Sequence, residues 1–157
     1  GRPLPAPPAA GAAARRRGAF VTLMAGGTLR GCIGHLAADR PLGDIVRDMT
    51  VAAARDDPRF PPVSADELAG VRVEISALTP PAPLVPVDVT RIVVGRDGLV
   101  VRRGSAQGVL LPQVAPEYHW GPDAFLAATC RKAGLAPEVW AEPGTEVFTF
   151  QAEVFGE

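Results

Sequence analysis

The segment Leu29-Arg30-Gly31-Cys32-Ile33-Gly34-His35 concentrates the residue types best suited to chemistry. On an extended strand, alternation puts Arg30, Cys32 and Gly34 on one face and Leu29, Gly31 and Ile33 on the other. An arginine two positions from a cysteine brings a fixed positive charge to the sulfur. That favours the thiolate, the form that acts as a nucleophile. The two glycines clear side chains from around the sulfur, so that either another backbone packs closely or a ligand enters. The same residues also describe a free buried cysteine in a glycine-bearing strand, a common fate of this residue. His35 is placed to act as a base, but a Cys-x-x-His spacing describes a surface histidine equally well.

Further candidates are scattered along the chain. Asp57 and Arg59 flank Pro58 and are expected to pin their own loop. Glu74 lies beside Ser76 on the polar side of a strand, either facing solvent or paired with Arg30 or Arg59. Gln113, directly after Pro112, is an amide on a turn, suited to a hydrogen-bonding ligand or to the turn itself. Tyr118, His119 and Trp120 have the composition of a recognition surface or of a hydrophobic lid. Cys130 falls at a core-facing helical position and reads as packing. The phosphate-binding loop, the Gly-x-Gly-x-x-Gly turn and the Gly-x-Ser-x-Gly elbow are all absent from the sequence. The two cysteines and two histidines form neither Cys-x-x-Cys nor His-x-x-x-His, so no metal site is expected.

The elements that must position these groups follow from periodicity. Ala19 to Met24 and Thr28 to Ile33 flank Gly26-Gly27 as a β-hairpin. After Pro41, the residues Leu42, Ile45, Val46, Met49 and Ala53 form one apolar stripe, predicting a helix over about 41–55. Asp56 to Pro62 cannot continue that helix. Ser64-Ala65-Asp66-Glu67 fits a capping box opening a short helix that Gly70 ends. Val71 to Ala77 alternates as a half-buried strand. Arg91–Val94 and Leu99–Arg103 are expected to pair around Gly95-Arg96-Asp97-Gly98, a second hairpin. Val109-Leu110-Leu111 reads as a short strand and 122–133 as a helix capped by Gly134. A final strand is expected from about Thr145 to Phe155, with Phe148, Phe150, Ala152 and Val154 on one face. The sum is an α+β domain with a largely antiparallel sheet built from hairpins and two main helices. The hairpin–helix order recurs twice, which suggests a pseudo-duplicated layout.

Composition bounds the setting. The 157 residues are 47% hydrophobic and 21% charged, enough to bury a core. A formal net charge of −1 gives no strong electrostatic signal for nucleic acid, since phosphate-driven binding needs a dense basic surface. No apolar run approaches the ~20 residues that span a bilayer, so no membrane association is expected and a cytoplasmic setting is. Residues 1–17, rich in Pro, Ala and Arg, lack apolar periodicity and read as a flexible arm before a domain over 18–157.

Taken together, the motifs resemble the AMMECR domain family, known in bacteria as protein A of the AmmeMemoRadiSam system. The matching segments are Gly18 to Leu23, Leu29 to Gly34, Asp57 to Pro62, Glu74 to Pro80, Gly108 to Val114, and Phe125 through Cys130–Leu135 to Trp140. Arg-Gly-Cys-Ile-Gly at 30–34 is the most specific of them. The resemblance implies an α+β fold of two subdomains and an association with a Memo-type protein and a radical-SAM protein. It implies no particular cofactor. Two readings follow. One is an enzyme using Cys32 as nucleophile or thiol on a small molecule or nucleic-acid base, with Arg30, Gly31, Gly34, Asp57, Arg59, Glu74 and Gln113 around the ligand. The other is a non-catalytic module binding a Memo-type or radical-SAM partner. Members of the family usually begin with a helix before the Gly-Ala-Phe-Val strand, and here the Pro/Ala/Arg arm stands in its place.

Overall fold

A computed structural model describes residues 4–8 and 10–156. The chain divides into two compact units, one running up to Pro80 and resuming at Glu153, the other Pro81–Ala152. In the first, strands β1 (Ala19–Ala25) and β2 (Thr28–His35) form the expected hairpin. On its other side β1 pairs antiparallel with β3 (Val71–Leu78). Helix α1 (Leu42–Arg55) carries its apolar stripe over one face of this sheet, packing Leu42, Ile45 and Ala53 against Ala19, Val21 and Leu23. Gly31 makes that contact close. A Cβ at this position would lie 2.2 Å from the carbonyl oxygen of Ala53, inside the helix backbone.

The second unit follows the same plan. Strand β4 (Ala82–Pro83) precedes the hairpin of β5 (Gly98–Arg103) and β6 (Ala106–Leu110). The short helix α2 (Val114–Glu117) and the longer α3 (Pro122–Lys132) follow, then β7 (Glu146–Phe150), which returns beside β5. Leu99, Val101, Phe125, Leu126, Cys130 and Val147 make its core. With the last strand, β8 (Ala152–Gly156), the sheet orders are β2-β1-β3-β8 and β4-β7-β5-β6. Read from the hairpin edge, the order β2-β1-β3 recurs as β6-β5-β7, while the fourth strand follows in the first unit (β8) and precedes in the second (β4). Even the glycine recurs: a Cβ on Gly108 of β6 would lie 2.4 Å from the Thr129 carbonyl oxygen of α3. The class is therefore α+β with antiparallel sheets, as the sequence predicts.

Three local expectations are corrected. The second hairpin turns at Gly104-Ser105, and Arg91 to Val94 is not a strand. Asp97 instead closes a loop, accepting the Val93 amide at 2.8 Å and pairing with Arg96. Although burial opposes it, Arg96 and the Val93 N–H hold the Asp97 carboxyl below the usual range. Residues 64–70 form turns and a 3-10 segment at Leu68–Gly70 in place of a short helix. Half of the capping box survives, as Glu67 accepts the Ser64 amide at 2.8 Å. The final strand is two strands in different sheets, broken at Gln151. Val147 and Phe150 are buried, whereas Val154 and Phe155 are half exposed.

Within the stretch read as an arm, Gly11–Ala14 forms a 3-10 turn and the Leu42 amide donates to the Arg15 carbonyl. Arg17 reaches further. Its Nε and Nη2 donate to the Leu78 and Ala77 carbonyls at 2.9 and 2.8 Å, and Nη1 pairs with Glu153.

Candidate functional site

The register places Cys32 of β2, Thr22 of β1 and Glu74 of β3 in one cross-strand row. Side chains of the adjacent rows, such as Val21 and Leu23, face α1, so this row lies on the opposite face of the sheet. The Cys32 backbone points outward at the sheet edge. Its amide donates to Asp57 Oδ2 at 2.8 Å, and its carbonyl accepts from Arg59 Nη2 at 3.3 Å. The Asp57–Arg59 pair thus supplies the acceptor and donor that a neighbouring strand would supply, and it closes the edge locally. An outward-pointing Cys32 also makes Cys32 and Thr22 a non-hydrogen-bonded pair, the kind whose side chains approach most closely. Thr22 Oγ1 accordingly donates to Cys32 Sγ at 3.3 Å. The cysteine itself is only partly buried.

Asp57 is the anchor. Its side chain is 1% exposed and Arg59's is 50%. Arg59 grips it through Nε at 2.9 Å and Nη2 at 2.7 Å, and the Arg59 amide donates to Oδ1 at 3.1 Å. The guanidinium, aided by the Cys32 and Arg59 amides, holds the Asp57 carboxyl far below the usual range despite burial. Asp57 in turn raises Arg59 above its ordinary value, and the Cys32 sulfur adds to the rise. Arg59 thus meets Cys32 at its backbone carbonyl.

Arg30 has another task. The β1–β2 register slips between Leu23 and Met24, which pair with Gly31 and Leu29, leaving Arg30 as an unpaired bulge residue. Its guanidinium donates to Glu67 at 2.7 and 3.1 Å and to the Pro61 and Pro62 carbonyls at 2.9 and 3.3 Å. Arg30, with the Ser64 amide, holds Glu67 down at about 2. Strict alternation put this charge at the sulfur, and the bulge redirects it to the proline loop.

The remaining candidates fall as follows. Gly34 lies opposite Phe20, whose ring occupies the space a Cβ would take, 2.2 Å away. Glu74 has neither Arg30 nor Arg59 as partner, and no ion pair or hydrogen bond of its side chain occurs among the described residues. His35 Nε2 lies 2.8 Å from Asp39 Oδ1 at the strand end. Gln113 belongs to the second unit, where its buried Oε1 has no partner among the described residues. Cys130 is fully buried, and burial pushes its thiol up. Thr22 escaped the sequence reading, although a threonine opposite Cys32 in the hairpin register was the signal for it. Among the described residues no group of His, Cys, Asp and Glu is placed to hold a metal ion, and no helix is long and apolar enough to cross a membrane.

These features define an α+β protein built twice on one hairpin–helix–strand plan, with a cysteine strand clamped at its edge by an Asp–Arg loop. The family model described as AMMECR1 matches residues 2–155, and the chain belongs to the AMMECR1 family. A protein of Methanothermobacter thermautotrophicus is 50% identical over 147 residues, covering 91% of this chain and 77% of its own length. One from Methanosarcina barkeri is 49% identical over 145 residues, covering 90% and 71%. The crystal structure of a Pyrococcus horikoshii protein is similar at a TM-score of 0.86 and 41% identity, covering 93% of this chain and 76% of that one.

Proposed function

We propose that this chain is an enzyme whose reacting group is the Cys32 sulfur, acting on a small molecule or nucleic-acid base. The observation that carries the reading is the Thr22 hydroxyl donating to the Sγ of a partly buried Cys32 whose backbone is locked by Asp57 and Arg59. The hydroxyl donating to the sulfur fixes the side-chain orientation of Cys32. A fixed backbone holds that sulfur in one position for an incoming electrophile. Glu74 lies two strands away in the same row, ~10 Å from Cys32 by the strand spacing, with Thr22 between them.

Iodoacetamide labelling, followed site by site by mass spectrometry across pH, tests this. Cys32 should label faster than Cys130, Thr22→Val and Arg59→Leu should slow it near neutral pH, and Arg30→Leu should not. A faster Cys130, or a Cys32 profile indifferent to Thr22→Val and Arg59→Leu, would overturn the reading. The second reading, a non-catalytic module for a Memo-type or radical-SAM partner, draws on half-exposed Val154 and Phe155 on the outermost strand β8. It predicts that Phe155→Ser weakens association with such a partner while Cys32→Ser does not.

A further inference from the structure

The segment Tyr118-His119-Trp120, which the Cys32 chemistry does not use, has a built geometry. Helix α2 ends in a Schellman-type closure, with the Trp120 amide donating to the Ala115 carbonyl at 2.9 Å and the His119 amide to Pro116 at 3.1 Å. This closure puts His119 at φ 55°, in the left-handed region that glycine ordinarily fills. The turn stacks Tyr118 on Trp120, ring centroids 4.7 Å apart and planes 17° from parallel. Trp120 is seated on the core of its unit, so the platform is anchored from below. Tyr118, by contrast, is 62% exposed and offers its outer ring to solvent.

Within the sequence segment 104–130 that carries the platform, formal charge has one sign. Glu117 and Asp123 flank it and are exposed, and among the described residues neither is ion-paired. Asp123 also suits the first turn of α3, where a negative charge is favoured. From Gly104 to Cys130 the sequence holds no Lys or Arg, although the whole chain has 16. An open aromatic face beside uncompensated carboxylates attracts a cation, and a planar guanidinium best of all, since it stacks on the ring and pairs with carboxylate.

We propose that Tyr118, Trp120, Glu117 and Asp123 form a docking site for an arginine side chain on a basic segment of a partner protein. The stack supplies the face and the carboxylates supply charge and steering. The site is independent of the Cys32 reading, and neither stands or falls with the other.

The test is an amide NMR titration of the full chain with a capped tetra-arginine peptide, against capped tetra-glutamate and a single-stranded oligouridylate. Arginine should give saturable shifts centred on 117–121 and the Trp120 indole N–H, weakening as salt rises. Tyr118→Ala should lower the affinity by about two- to fivefold, the range of an exposed cation–π contact, while Tyr118→Phe retains it. Paired Glu117→Gln and Asp123→Asn should flatten the salt dependence. Shifts centred elsewhere, equal affinity in Tyr118→Ala, or stronger binding of the oligouridylate or the glutamate peptide would overturn the assignment.

Discussion

Replacing Asp57 with Asn isolates the clamp on Cys32 without changing its size. The carboxylate accepts four donors: the Cys32 amide and Arg59 Nη2 on Oδ2, the Arg59 amide and Nε on Oδ1. Asn keeps one acceptor and turns the other position into a donor, so whichever way the amide lies, N–H faces N–H. Arg59 is half exposed and recovers part of its loss from water, whereas the buried side of the clamp does not. A buried donor left unmatched costs ~1–3 kcal/mol, and a lost charge-assisted bond is of similar size. We therefore expect a loss of about 2–3 kcal/mol, or ~4–12 °C in Tm for a chain of this length. The pH dependence supplies the sign. The folded Asp57 carboxyl is depressed below its unfolded value of ~3.9. Its stabilisation is thus complete above that value and fades as pH falls towards the folded one. Asn does not titrate, so the gap between wild type and Asp57→Asn should narrow below about pH 4. Calorimetry at pH 7 and in acid measures the gap, and hydrogen exchange of the Cys32 amide, faster in the variant, localises it. A Tm within a degree of wild type at pH 7, a gap unchanged in acid, or an unaltered Cys32 amide would refute the clamp.

Other perturbations test the frame. Gly31→Ala and Gly108→Ala each drive a methyl into a helix carbonyl and should each cost ~1–3 kcal/mol in urea unfolding, the range for overpacking. Arg17→Ala removes two bonds to β3 carbonyls and the Glu153 pair, and should cost ~1–2 kcal/mol in the same assay. Cys130→Ser puts a hydroxyl into the packed core of the second unit and should lower Tm by several degrees, with Cys32 labelling unchanged.

Where periodicity carried the information, the sequence was legible. Helix α1, strands β1 to β3 and helix α3 fall within a residue or two of expectation because each keeps one apolar face over several turns or alternations. Punctuation was less reliable. Asp97-Gly98 has the letters of a hairpin turn, yet the carboxylate of Asp97 closes a loop onto Val93, and a local sequence does not distinguish the two uses. Gln151 breaks one apparent strand into two because the pairing partners change, which is a property of the sheets and not of the segment. At the site, Asp57 and Arg59 are expected to pin their own loop, and Cys32 is read on its own strand. Their meeting was not visible, since 25 residues separate the amide from the carboxylate that holds it. The bulge at Arg30 was hidden for the same reason: it exists only in the register with β1.

The order in which the chain leaves the ribosome gives the division into units a temporal meaning. The unit Pro81–Ala152 is continuous and nested inside the other, whose sheet waits for β8. During synthesis the inner unit has all of its strands before the outer one does, so the later-completed sheet meanwhile leaves the flank of β3 open to pairing. Loss of the segment from Glu153 onward would then spare the inner unit and strip the outer one of an edge strand together with the carboxylate that Arg17 grips. Proteolysis or premature termination near Gln151 would thus injure the unit whose other strands lie far upstream of the break.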